Sequence, residues 1–130
     1  MSTLKFTRND YPTIGVELEL QLVDAESLAL SNSIEQVLER LPASLSEQVK
    51  PELMQSYLEI NTGVCRTVRE AGADLREKLG VLEQTTNELG LKLLWAGTHP
   101  FSSWKDQQIT VNDRYYRLVE LMQDIARQLV

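Results

Sequence analysis

The sequence predicts an α+β fold: a mainly antiparallel sheet with helices packed on one face. Three observations carry this. Residues 13–23 alternate strictly, with Ile14, Val16, Leu18, Leu20 and Leu22 on one side and Gly15, Glu17, Glu19 and Gln21 on the other, as strand side chains of period two must. Residues 53–62 repeat the pattern, Met54, Ser56, Leu58 and Ile60 against Gln55, Tyr57, Glu59 and Asn61. Between and after these runs the apolar period changes to three or four, the signature of helices with one buried face.

The elements follow in order. After the first strand, residues 24–31 form a polar connection. Ser33-Ile-Glu-Gln36 has the spacing of a capping box, and Ile34, Val37, Leu38 and Leu41 make one stripe before Pro42 ends the helix. Residues 42–51, bounded by two prolines, are expected as loop. The second strand ends at Gly63. A helix over 65–89 follows, with Val68, Ala71, Leu75, Leu79, Leu82, Thr86 and Leu89 as its buried face. Gly72 and Gly80 weaken it by roughly 1 kcal/mol each relative to alanine, and Gly90 is placed to cap its end. Residues 91–97 are apolar almost throughout and are expected as a central strand. Trp95 is expected in the core and Trp104 as a loop anchor. Thr98 to Asp106 is a loop. Thr110-Val-Asn-Asp113 caps a last helix whose stripe, Tyr115, Leu118, Val119, Met122, Ile125, Ala126 and Leu129, runs to the final residues with no terminating signal.

Composition narrows the function classes. The chain has 130 residues, one domain or part of one, with 42% hydrophobic and 25% charged residues, ordinary for a globular protein. A net charge of −6 and scattered basic residues argue against a nucleic-acid partner. The single cysteine, Cys65, excludes an internal disulfide and is read as a small buried residue; it fits a cytoplasmic setting. The N-terminus lacks the apolar run of a signal peptide, and no stretch approaches the roughly 20 apolar residues of a membrane span.

The chemistry is concentrated on the polar strand faces. Glu17 and Glu19 stand about 6–7 Å apart on one face, where like charges repel and strand propensity disfavours them. Glu59 adds a third carboxylate if the two strands are neighbours. Three carboxylates with Gln21, Gln55 and Asn61 beside them suit a hard cation such as magnesium, which takes a few carboxylates and completes its shell with water and phosphates. A solvated sheet face is the competing reading. His99, the single histidine, lies before Pro100 in a loop; lone loop histidines are more often structural than chemical.

Four segments, Ile14-Gly-Val-Glu-Leu-Glu-Leu-Gln-Leu-Val-Asp24, Glu59-Ile-Asn-Thr-Gly-Val-Cys65, Ala96-Gly-Thr-His-Pro-Phe101 and Asn112-Asp-Arg-Tyr115, resemble in order and spacing the N-terminal part of the type 2 glutamate–cysteine ligases, also called carboxylate–amine ligases. The resemblance implies part of a glutamine-synthetase-like catalytic domain, with the site in the concave face of a curved sheet. It implies ATP- and Mg-dependent amide formation through an acyl phosphate, with a glutamate-like carboxylate and a cysteine-like amine as substrates, as in glutathione biosynthesis. Glu17, Glu19 and Glu59 match the family's metal-binding glutamates. Arg114 matches an arginine after the Thr-His-Pro loop, a catalytic candidate for stabilising charge on transferring oxygens. Tyr57 and His99 are the substrate-binding candidates. Leu18 stands where family members often carry a further glutamate. The family continues into a strand with a His-x-His motif that this sequence lacks, so residues 1–130 are expected to be a single domain forming the N-terminal fragment of a larger ligase domain. Alone it is expected to be inactive, and prone to homo-oligomerise through a free sheet edge. The alternative is a non-catalytic binding or assembly module on the same sheet scaffold.

Overall fold

A computed structural model describes residues 10–128. The expectations about the N-terminal residues and about Leu129–Val130 fall outside that span. The elements are β1 (Glu17–Asp24), α1 (Ile34–Arg40), β2 (Val49–Pro51), β3 (Tyr57–Asn61), α2 (Val68–Glu88), β4 (Leu91–Leu94), α3 (Asp113–Met122) and α4 (Asp124–Arg127). The strands form one sheet in the order β2-β3-β1-β4, with every neighbouring pair antiparallel. The protein is therefore α+β, with an antiparallel sheet.

The core lies on one side of this sheet. Leu20 and Leu22 of β1, Val49 of β2, Leu58 and Ile60 of β3, and Leu91 of β4 pack with Ile34 and Val37 of α1 and Leu82 of α2. Leu18, Leu79 and Leu93 close its margins. Alternation thus does what period two requires: the leucines of β1 meet the helices and its glutamates are left on the other face. A smaller cluster, Met54 and Tyr57 with Leu30, Leu53, Trp104 and Ile109, is built apart from the main core.

α2 starts at Val68, later than expected, because Thr67 takes the cap: its Oγ1 accepts from the Glu70 amide at 3.1 Å, and the Glu70 carboxylate accepts from the Arg66 amide at 2.7 Å. That reciprocal pair satisfies donors the first helical turn cannot. Gly90 ends the helix at φ +70°, a left-handed conformation that costs a side-chain-bearing residue.

Several sequence expectations are corrected. Ser33 makes no side-chain cap bond; its hydroxyl pairs with that of Ser31 at 2.6 Å, and the first amide of α1, Ile34, donates to the Gln55 carbonyl at 3.0 Å. The proline-bounded loop contains β2. The second strand starts only at Tyr57, because the chain bends at 54–56 and Met54 bridges Ile109 instead. β4 is an edge strand, with Leu91 and Leu93 joined to the core and Lys92 exposed. Trp95, just beyond it, is 58% exposed, while Trp104 does pack, in the smaller cluster. The last helix breaks at Gln123, φ 50° and ψ −132°. The break turns Ala126 inward to 2% exposure and leaves Ile125 67% exposed.

Leu20 is 1% exposed in the main core. Leu20→Ala is expected to cost about 2–5 kcal/mol in urea unfolding. A loss under about 1 kcal/mol would show that the main core is not organised around β1.

A candidate metal centre beside an arginine-lined cleft

The face of β1 opposite the core carries the chemistry. Its register with β3 pairs Glu17 with Asn61, Glu19 with Glu59 and Gln21 with Tyr57. Directly paired residues share a sheet face, so Glu17, Glu19 and Glu59 stand together on the non-core side. β2 extends the row, since Lys50 is the partner of Glu59 and its Nζ lies 3.8 Å from Glu59 Oε1.

The tightest grouping differs from the expected one. One carboxylate oxygen from each of Glu19, Glu52 and Glu59 lies within 4.8 Å of the other two. Glu17 occupies the same face two residues away from Glu19 and lies outside this group, beside Asn61 and Thr62. Glu52 escaped the sequence reading. It follows Pro51 at the end of β2, and three strand residues are too few to show a period. The hairpin from β2 to β3 returns it to Glu59.

Glu52 is strained electrostatically. Burial pushes its carboxyl above the usual range, and the charges of Glu19 and Glu59 push it the same way. Asn61 eases Glu59 by donating from Nδ2 to Oε1 at 2.7 Å. The Asn61 amide oxygen is left buried with no partner.

A cleft of about 310 Å³ opens beside this group, lined by Glu19, Glu52, Tyr57, Gly97, Arg114, Tyr115 and Leu118 among others. The segment before α3 explains how Arg114 arrives there. Residues 108–110 run alongside 53–55: the Gln55 amide donates to the Gln108 carbonyl at 2.8 Å and the Thr110 amide to the Leu53 carbonyl at 2.9 Å. The Thr110 hydroxyl donates to the Glu52 carbonyl. Asn112 then caps α3, its Oδ1 accepting from the Arg114 amide at 2.9 Å. Tyr115 Oη donates to the Pro51 carbonyl at 3.0 Å. The same segment that carries Glu52 thus holds the first turn of α3. Among the described residues the ion pairs are Lys50–Glu59 and Lys78–Asp74, so the Arg114 guanidinium has no carboxylate partner there.

Tyr57 is buried and accepts a short hydrogen bond from Gln21 Nε2. Burial is the main cause that raises its phenol above the ordinary value. His99 sits elsewhere. Its Nε2 meets the Leu28 carbonyl at 3.0 Å and its Nδ1 accepts the Ser102 amide at 3.0 Å. Both ring nitrogens are engaged by backbone, which ties the 98–103 loop to the turn after β1, and His99 is not among the residues lining the cleft. Cys65 is buried and bridges Ile14.

Comparison with known proteins bears on this arrangement. The profile of glutamate-cysteine ligase family 2 matches residues 13–129. Relatives provisionally named glutamate–cysteine ligase 2 include one from Herpetosiphon aurantiacus, 45% identical over 118 residues, or 91% of this chain and 31% of that protein. Another, from Thermobifida fusca, is 40% identical over 132 residues, 98% of this chain and 33% of that protein. A third, from Rubrobacter xylanophilus and named glutamate–cysteine ligase 2-1 with the same reserve, is 47% identical over 118 residues. The chain spans about a third of the length of these relatives. With the matched stretch covering both acidic strands and the arginine-bearing helix, the chain belongs to glutamate-cysteine ligase family 2.

Proposed function

We propose that this chain supplies the cation-binding part of an ATP- and magnesium-dependent carboxylate–amine ligase of the glutamate–cysteine type. The observation that supports it most is the convergence of Glu19, Glu52 and Glu59 oxygens beside a cleft that also presents Arg114. In the proposed reaction a carboxylate oxygen of a glutamate-like substrate takes the terminal phosphoryl group of ATP and ADP leaves. The nitrogen of a cysteine-like amine then attacks the carbonyl carbon, phosphate departs, and the nitrogen loses a proton.

The donor set fits a hard cation. Carboxylate and amide oxygens are the ligands magnesium takes, together with water and substrate phosphates. The raised Glu52 carboxyl is what such a group would relieve. Glu19, Glu52 and Glu59 would hold it, with Glu17 extending the acidic face along β1. Bound there, magnesium would orient the nucleotide phosphates and neutralise charge on the transferring group.

The chain's own residues account for the rest. Arg114 offers a fixed positive charge from the far wall, suited to phosphate oxygens. Tyr57, held by Gln21, borders the cleft and is the substrate-contact candidate there. His99 contributes through the shape of the 98–103 loop.

The proton linkage of Glu52 gives one test. Its folded value is raised above its unfolded value, so between the two the folded state holds a proton that the unfolded state has released. The contribution of Glu52 to stability is then greatest below the ordinary carboxylate range and is lost as pH rises through the folded value. In metal-free buffer Glu52→Gln is expected to be more stable than the parent at pH 7, with the difference vanishing near pH 4, in urea melts at both pH values. Equal stability at pH 7 would contradict the repulsion. Calorimetric titration with manganese or magnesium gives a second. The chain should bind weakly, and Glu59→Gln should weaken binding at least tenfold, about 1.4 kcal/mol, with its circular dichroism unchanged. Unaltered binding would remove Glu59 from the site. In a full-length chimera carrying this segment, Arg114→Ala is expected to lower kcat by about 10²–10³, read by ADP release at saturating substrates; an unchanged kcat would deny Arg114 a catalytic part.

A further inference from the structure

One ion pair of the fold has no part in the cleft. Lys78 of α2 donates from Nζ to Asp74 Oδ2 at 2.8 Å, and its side chain is 13% exposed. A pair spaced i, i+4 on a helix ordinarily lies in water and contributes little. This one is turned against the sheet.

Both members also bind the backbone at the end of β3. Lys78 Nζ donates to the Asn61 carbonyl at 2.9 Å, and Asp74 Oδ2 accepts from the Gly63 amide at 2.8 Å. The sheet leaves that carbonyl open. Asn61 stands opposite Gln48 in the register that pairs Val49 with Ile60, and its amide donates to the Gln48 carbonyl at 2.9 Å. A hydrogen-bonded antiparallel pair exchanges two bonds, but the Gln48 amide turns back to the Leu45 carbonyl at 3.0 Å. Lys78 takes the place of the missing ladder donor. The Lys78 hydrogen bond above all, with the Gly63 amide adding to it, holds the Asp74 carboxyl below the usual carboxylate value, so the clasp is charged at neutral pH.

The clasped residues lead to the acidic face. Asn61 Nδ2 donates to Glu59 Oε1 at 2.7 Å, which restrains rotation of that carboxylate. The Thr62 amide donates to the Val16 carbonyl at 2.9 Å, and Thr62 Oγ1 accepts from the Val16 amide at 2.9 Å. The residue before Glu17 is therefore fastened to the same three-residue segment.

We infer that Lys78 and Asp74 are positioning residues for the cation site. From α2, on the core side of the sheet, they fix residues 61–63, and through Asn61 they set the orientation of the Glu59 carboxylate. This rests on the reading of Glu19, Glu52 and Glu59 as cation ligands. Removing a group that orients a metal ligand typically lowers metal affinity about 10–100-fold. The clasp stands one step further out than Asn61, so a loss of at least about fivefold is expected. Coulomb's law alone gives the opposite sign, because deleting a positive charge near a cation site tightens cation binding. Weaker binding after loss of Lys78 is thus a mark of positioning.

The test titrates manganese calorimetrically into this chain and into Lys78→Met, which keeps the apolar stem and loses both bonds. Affinity is expected to fall at least about fivefold. Leu82→Val, a change in the main core on the same helix, controls for lost stability and is expected to bind within about twofold of the parent, with circular dichroism showing each variant folded. Lys78→Arg keeps charged donors and is expected to regain most of the affinity. In the metal-free chain, NMR follows the Asn61 side-chain amide and the Glu59 carboxyl carbon. Lys78→Met is expected to shift both, and Leu82→Val neither. Affinity unchanged or raised in Lys78→Met, or lowered as much by Leu82→Val, would overturn the proposal. So would Asn61 and Glu59 resonances that stay in place. A parent chain that binds no manganese sinks the cation-binding reading instead, and the resonances then decide whether the clasp orients Glu59. Asp74→Ala gives the same resonance comparison should Lys78→Met not fold.

Discussion

The pairing of Glu19 with Glu59 across β1 and β3 is the constraint on which the rest of the structure depends. It is a costly arrangement, since like charges opposite each other on a sheet repel. The fold maintains it because the same register places Leu18 opposite Ile60 and Leu20 opposite Leu58. Those leucines and the isoleucine belong to the main core. A slip of one residue would send the carboxylates into the helices and the leucines into the cleft. Burial of the core face, at about 25 cal/mol per Å² of apolar surface, therefore holds an electrostatically unfavourable face in place.

Much of this was legible in the sequence because β1 is long enough to show its period. Five alternating apolar residues, Ile14 to Leu22, separated the two faces, and the Tyr57–Asn61 run showed where Glu59 points. What was not legible has physical reasons. Glu52 reaches the cluster through a three-residue strand and a bend, neither of which leaves a pattern. The break at Gln123 needs a positive φ, and glutamine gives no warning of it where glycine would have. β4 reads as central because its side chains are apolar, but composition reports burial of faces and says nothing of how many strands lie beside an edge.

His99 and Tyr57 show how burial alters what a residue type can be expected to do. Tyr57 attracted notice as a polar group beside Glu59 on its strand, and His99 as the single histidine, before a proline in a loop. His99 is bonded at both nitrogens by backbone, so its part is to fix a loop. Tyr57 is also buried, yet it borders the cleft, and among the described residues its hydroxyl is held by the bond from Gln21. The Gln21 amide oxygen is buried without a partner, a cost of about 1–3 kcal/mol for such a group, which marks this corner of the sheet as organised around a polar contact and not around packing alone.

The lacing of residues 108–110 onto 53–55 has a mechanical meaning. Glu52 and the first turn of α3 hang from one hinge-less strap, fastened by backbone bonds at Leu53 and Gln55 and by the Thr110 hydroxyl on the Glu52 carbonyl. The backbone of the acid is thereby tied to the segment that leads into the arginine's helix. Load applied at one wall of the cleft is carried to the other through peptide groups, without a side-chain relay. Were a cation held by Glu52 and an anion by Arg114, the strap would link the two affinities, each changing the other by the same factor.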